Sequence, residues 1–231
     1  MTTAFFITGT DTGVGKTCVA VALMRVLRRR GHAVCGLKPV ASGATRESAG
    51  LRNADALALL GESTRALPYE LVNPYCFEPA IAPHIAAIET GTQVTIDALE
   101  HWYRRAAAGF DFAIVEGAGG WRLPLHPDGF LSDFAERLQM PVLLVVGLRL
   151  GCLNHARLTL EAIEHGGRCR FAGWIGNRVD PAFAQVPANL ATLERLLRRP
   201  ALAIVEHMAA PDAATAERAI DGPALYAALA T

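Results

Sequence analysis

The run Gly9-Thr-Asp-Thr-Gly13-Val-Gly15-Lys16-Thr17 has the residue types of a loop that cradles phosphate. Backbone N–H groups of such a turn point inward at phosphate oxygens, and the helix start that follows adds positive potential. In this pattern Lys16 bridges the β- and γ-phosphates of a nucleoside triphosphate, and the Thr17 hydroxyl coordinates Mg2+. The common spacing would place the first glycine at position 10, which here is a threonine. Gly9 lies one residue earlier, so the loop is slightly longer than the common form.

Further polar residues stand where apolar runs end. Glu116 follows Phe112–Val115 and precedes a glycine cluster, the place for a carboxylate that holds or orients Mg2+. The glycines after it let a second ligand approach the backbone closely. Asp55 opens a helical pattern and, taken alone, reads more readily as a cap or dipole partner. Lys38 ends the second apolar run in LKPVASG. The chain holds two lysines, Lys16 and Lys38, and its other twenty basic side chains are arginines. Two lysines in an arginine-rich chain, both at strand tips, point to sites that need a compact ammonium rather than a broad planar fork. Ser42 can then donate to a substrate oxygen. The run Leu150-Gly-Cys-Leu-Asn-His155 opens a helix, and its free N–H groups suit a carboxylate or phosphate. Cys152 and His155 also lie three positions apart, but no third group orients them as a nucleophile pair. Asn177 follows another apolar run, and its amide can offer a base edge one donor and one acceptor.

These residues need a scaffold that brings strand ends together. Strands are predicted at Ala4–Thr8, Ala33–Leu37, Phe112–Val115, Pro141–Val146 and Phe171–Ile175, with a weaker one at Leu202–Val205. Helical spacing is predicted over Gly15–Arg30, Asp55–Leu60, Thr95–Ala108, Cys152–His165, Ala188–Leu197 and Pro223–Ala230. The Pro-rich stretch Pro68–Pro83 reads as irregular loop. Strands alternating with helices imply a single α/β domain over residues 1–231. Its sheet is doubly wound and mainly parallel, with helices on both faces, as in a P-loop NTPase fold. Ligands in such sheets sit at the carboxyl edge.

The 22 basic and 22 acidic side chains cancel, giving no electrostatic case for nucleic acid or an anionic membrane. Five cysteines without a CxxC pair argue against a disulfide framework or zinc cluster and for a reducing cytoplasm. No uncharged apolar run approaches the roughly 18 residues of a membrane span, and no secretory leader pattern opens the chain.

Taken together and in order, GTDTGVGKT, GLKPVASG, LRNADALAL, VEGAGG, LGCLNH and AGWIGN resemble the dethiobiotin synthetase family over roughly residues 5 to 180. The resemblance implies closure of 7,8-diaminononanoate with CO2 and ATP into a cyclic urea, through a carbamate and a carbamic-phosphoric anhydride. It implies ATP as co-substrate and Mg2+ held by Thr17, Asp55 and Glu116. Nucleotide contacts fall on Gly13, Val14, Gly15, Lys16, Thr17, Cys18, Asp55, Glu116, Gly117, Ala118, Gly119 and Asn177. Lys16, Lys38, Thr12 and Ser42 become the catalytic set, with Thr12 near the γ-phosphate and Ser42 on the carbamate or diamine. The resemblance also implies a homodimer in which Gly151, Cys152, Leu153 and Asn154 meet the substrate's distal carboxylate across the interface.

Two departures stand out. The adenine-side loop reads Ile204-Val205-Glu206-His207 where relatives often have Ile-Pro, and Asn189 stands where an aromatic is expected near the substrate tail. A partitioning ATPase of the same fold would carry a further lysine at the start of the loop, and here that region is Thr10-Asp11-Thr12-Gly13.

Overall fold

A computed structural model describes residues 2–126, 129–210, 212–220 and 223–230. A six-stranded sheet runs through the molecule in the order β12-β11-β10-β1-β7-β2, with every neighbouring pair parallel. Its strands are β1 (Thr3–Gly9), β2 (Val34–Leu37), β7 (Phe112–Gly120), β10 (Val142–Gly147), β11 (Phe171–Asn177) and β12 (Ala203–Val205). β10 and β11 are buried along their whole length and β1 from Phe5 to Gly9, which is why they read as continuous apolar runs.

Alternation along each strand feeds two cores. Phe5, Ile7, Leu143 and Val145 face α1 (Lys16–Arg29), α2 (Ala54–Glu62) and α9 (Ala213–Ile220). Phe6, Val142, Leu144 and Val146 face α5 (Ile96–Ala106), α6 (Leu131–Arg137), α7 (Cys152–Gly166) and α8 (Val186–Leu197). Thr95 caps α5 by accepting from the Ala98 N–H at 3.2 Å, as its position before the helical pattern predicts.

The structure departs from the sequence reading where elements are short. The stretch expected to be loop between Pro68 and Pro83 holds α3 (Tyr69–Val72) and a two-residue strand, β6 (Tyr75–Cys76). The latter pairs in parallel with β3 (Val40–Ala41). Directly after it comes α4 (Pro83–Glu89), while β4 (Thr45–Glu47) and β5 (Gly50–Arg52) form an exposed hairpin. A second small hairpin joins β8 (Pro124–His126) and β9 (Gly129–Phe130), and α10 (Pro223–Ala230) lies where helical spacing predicts it. None of α3, α4, α6 and α9 is longer than two turns or so, and such helices owe their stability to packing rather than to propensity. The strand expected to end at Val115 continues to Gly120, reaching beside Gly9 of β1 with an irregular register. Glycine permits that approach, because a Cβ on Gly117 would lie 2.9 Å from the Phe6 ring. No described helix is long and apolar enough to cross a membrane.

Candidate active site

The phosphate loop joins β1 to α1 at the carboxyl edge of the sheet. Gly13 and Gly15 adopt positive φ angles of 73° and 87°, the left-handed region that favours glycine. A Cβ on Gly15 would lie 2.1 Å from Asn177 Nδ2, and that same nitrogen donates to the Val14 carbonyl at 2.9 Å. Asn177 therefore braces the loop from the end of β11. Thr10 accepts from the Gly147 N–H at 3.3 Å and donates its own N–H to the Val145 carbonyl at 3.0 Å, which ties the loop to β10.

Four charged groups from four elements meet beside this loop. Lys16 opens α1, Lys38 leaves β2, Asp55 lies in the first turn of α2 and Glu116 is in β7. The Lys38 ammonium donates to Glu116 Oε1 at 2.6 Å, to Asp55 Oδ2 at 3.1 Å and to the Gly117 carbonyl at 3.2 Å. The Thr17 hydroxyl donates to the same Glu116 oxygen at 2.9 Å. Burial works to lower the Lys38 pKa, and the adjacent Glu116 and Asp55 carboxylates outweigh it and hold the ammonium above its ordinary value. Lys16 has no such contact with a carboxylate, and its ammonium donates to the Asp11 carbonyl at 3.0 Å. Burial, then the Lys38 charge, lowers its pKa to about 8. Asp55 is held below the usual carboxylate range, since Lys38 overcomes the opposing effect of its partial burial.

A cavity of about 1020 Å³ opens over this cluster. Of the residues expected from sequence, Thr12, Gly13, Gly15, Lys16, Thr17, Cys18, Lys38, Ser42, Asp55, Glu116, Ala118 and Gly119 line it. Val14 contributes its carbonyl to Asn177 and buries its side chain against Gly147, and Gly117 contributes its carbonyl to Lys38. Asn177 lies behind the loop rather than on the cavity wall. Gly151, Cys152, Leu153 and Asn154 form the start of α7, with Gly151 at φ 95°, and do not line the cavity of their own chain. Asn189 is turned onto the carbonyls of Ala184 and Gln185 at the start of α8.

The donor set suits Mg2+. Glu116 Oε2 is buried with no partner, and the nearby Thr17 hydroxyl and Asp55 carboxylate are hard oxygen donors. Two carboxylates and a hydroxyl fall short of a complete cage, the arrangement in which Mg2+ also takes phosphate oxygens and water.

Some of the machinery escaped the sequence reading. Asp11 accepts from the Thr12 N–H at 2.7 Å through one carboxylate oxygen and pairs with Arg149 through the other. Two residues of the supposed loop, Val72 and Asn73, hold the backbone of Lys38, and the Tyr69 hydroxyl in turn holds Asn73. Lys-Pro followed 35 residues later by Asn-Pro is too weak a pattern to signal that contact.

Comparison with known proteins fixes the family. A family model described as an AAA domain matches residues 3–215. A Chromohalobacter salexigens protein named ATP-dependent dethiobiotin synthetase is 52% identical over 222 residues, covering 91% of this chain and 93% of that protein. Proteins of the same name from Cellvibrio japonicus and Yersinia pestis are 49% and 44% identical, over 92% and 90% of this chain and 94% and 86% of theirs. The chain belongs to the dethiobiotin synthetase family. Among solved structures, a ParA family ATPase from Chlorobium tepidum aligns with TM-score 0.62 at 14% identity, covering 98% of this chain and all of that one. MinD from Pyrococcus horikoshii aligns with TM-score 0.56 at 16% identity, covering 99% and 93%. At such identities these two likenesses establish a shared P-loop fold and nothing of activity. The dethiobiotin synthetase relatives, by contrast, align over about nine-tenths of this chain.

Proposed function

We propose that this chain is an ATP-dependent dethiobiotin synthetase of biotin biosynthesis, a ligase that forms C–N bonds. It joins CO2 to 7,8-diaminononanoate and closes the cyclic urea, releasing ADP and phosphate. The observation that carries the reading is the meeting of Lys16, Lys38, Asp55 and Glu116 beside one phosphate loop, in a cavity that also reaches Ser42.

In this proposal one substrate amine adds to CO2, losing a proton to give a carbamate. A carbamate oxygen attacks the γ-phosphorus of ATP and ADP leaves. The second amine then attacks the carbonyl carbon of the mixed anhydride, and phosphate departs as the ring closes. Lys16 and Lys38 neutralise charge on the transferring phosphoryl group and the carbamate, which is electrostatic rather than covalent catalysis. Thr12 lies on the cavity wall where the terminal phosphate would reach, facing Gly119. Ser42 Oγ is buried with no partner, a hydroxyl available to a carbamate or amine. Thr17, Asp55 and Glu116 would hold Mg2+, which when bound spreads the charge of the β- and γ-phosphates.

We further infer a cytoplasmic homodimer formed by single-domain chains, with each α7 start offered to the partner's substrate carboxylate. Exposed Leu150 and Leu158 on and before α7 are apolar surface of the kind an interface covers. The adenine-side contacts fall near Val205–His207, with Asn177 beneath them.

The deciding assay combines diamine, bicarbonate, ATP and Mg2+ and identifies the product. ATP turnover should require both diamine and bicarbonate. Turnover indifferent to the diamine, but responsive to DNA or membranes, would favour a partitioning ATPase instead. Lys38→Arg should retain nucleotide and lose most ring closure, and a fully active variant would remove Lys38 from the catalytic set.

A further inference from the structure

The ladder between β2 and β7 ends at the Leu37–Val115 pair. Lys38, the next residue, must find partners for its backbone elsewhere, because buried peptide groups left unpaired are costly. Its N–H donates to the Val72 carbonyl at 2.8 Å, and its carbonyl accepts from Asn73 Nδ2 at 2.7 Å. Asn73 gives a second Nδ2 hydrogen bond to the Tyr75 carbonyl at 3.1 Å. Both amide hydrogens are thus committed to carbonyls, so Oδ1 must face the other way. It accepts from the Tyr69 hydroxyl at 3.1 Å.

The same phenol oxygen accepts from the Asn53 N–H at 2.7 Å. Asn53 is the cap of α2, where its Oδ1 accepts from the Ala56 N–H at 3.2 Å, and its Nδ2 reaches the Ser42 carbonyl at 3.3 Å. Asp55 is carried two residues further along that helix. Lys38, Asn53, Tyr69 and Asn73 are all buried. Burial pushes the phenol pKa up, so it remains a donor to Asn73. Arg52 stacks over the outer face of the ring, 4.2 Å from its centroid.

We propose that Tyr69 is a positioning residue for the ring-closing reaction: its hydroxyl joins the strut that sets Lys38 to the cap that sets Asp55 and Ser42. The inference rests on the function proposed above. The Tyr69 side chain does not itself line the cavity and reaches its wall only through Asn53, away from the phosphate loop, so its role falls on chemistry and not on nucleotide capture.

The test is Tyr69→Phe, which keeps the ring and removes the junction, with Asn73→Ser as a second variant that cuts the chain one link nearer to Lys38. Rates are expressed per folded site, counted by binding of a fluorescent ATP analogue with Mg2+. We expect kcat for dethiobiotin formation to fall roughly tenfold, as a sub-ångström shift of a catalytic group can cause, with KM for ATP held within about twofold. Lysine-selective 15N labelling supplies a signature independent of turnover, because Lys16 and Lys38 are the chain's two lysines. The Lys38 ammonium signal should move in both variants while that of Lys16 stays in place. A wild-type kcat or an unmoved Lys38 signal overturns the assignment, since a purely structural tyrosine would leave both unchanged in the folded fraction. A wild-type protein that makes no dethiobiotin sinks the proposed function instead, and the positioning claim is then decided by the Lys38 signal.

Discussion

Replacing Lys38 with methionine should destabilise the fold in a way that depends on pH, and the structure sets the size. The ammonium is nearly buried, and Glu116, its partner at 2.6 Å, is 1% exposed. Removing one member of such a pair leaves an uncompensated buried charge, at a cost of about 3–5 kcal/mol. Asp55 adds little, because it is 44% exposed and water takes over from Lys38. The penalty therefore belongs to Glu116. Burial already drives its carboxyl above the ordinary range, with Lys38 pulling it back. Without Lys38, its folded pKa rises further above the unfolded value, so the destabilisation is full at high pH and shrinks as falling pH protonates the group. For a chain of this size a urea m-value of about 3 kcal/mol per M turns 4 kcal/mol into a midpoint lower by roughly 1.3 M. Urea unfolding of both proteins at pH 8 and at pH 5.5 reads the effect directly. A midpoint difference that is the same at both pH values would refute the assignment of the loss to Glu116.

Two further outcomes follow from the loop. With Lys16 lowered to about 8 by burial and by Lys38, the free enzyme loses that proton as pH rises past 8, whereas bound phosphates favour the ammonium. Nucleotide binding near pH 9 should take up a proton, and affinity should weaken by up to about tenfold per pH unit. Calorimetry in buffers of different ionisation heat counts that proton, and a count of zero at pH 9 would contradict the reading. Gly15→Ala should cost about 1–2 kcal/mol for the left-handed backbone and about 1–3 kcal/mol for the displaced Asn177 hydrogen bond. Gly31→Ala is the comparator, with φ 84° and no atom within 4 Å of an added Cβ. Equal losses in the two variants would show that Asn177 does not brace the loop.

The parts of the site that sequence disclosed are those whose chemistry demands adjacent residues. A phosphate loop needs its glycines, lysine and threonine within one turn, and Glu116 and Lys38 stand at the ends of apolar runs that are legible because both faces of the sheet are covered. The short elements were hidden for the opposite reason. Tyr69–Val72 is four residues long, and what makes it helical and functional is the placement of Val72 and Asn73 beside Lys38 more than 30 positions away. Asn177 shows the limit from another side. Its position after a strand was readable, and the direction of its amide was set by Val14, which sequence spacing could not place there. The Asp11–Arg149 pair, separated by 138 residues, was invisible for the same reason.

The lysine–arginine imbalance now has a geometric cause at Lys38. An ammonium offers three donors in a compact tetrahedral array, and all three find acceptors from two elements: Asp55 of α2, and Glu116 together with the Gly117 carbonyl of β7. A planar guanidinium spreads its donors into a wider fork suited to a single carboxylate and would not fit between them. The same saturation sets how Lys38 can act. To meet a carbamate or phosphoryl oxygen it must give up one of its present partners, and the three are not equal. Glu116 holds it at 2.6 Å deep in the site, whereas Asp55 is half-exposed and at 3.1 Å. On the proposed chemistry Asp55 would be the partner that Lys38 releases, leaving that carboxylate available to help hold a divalent cation.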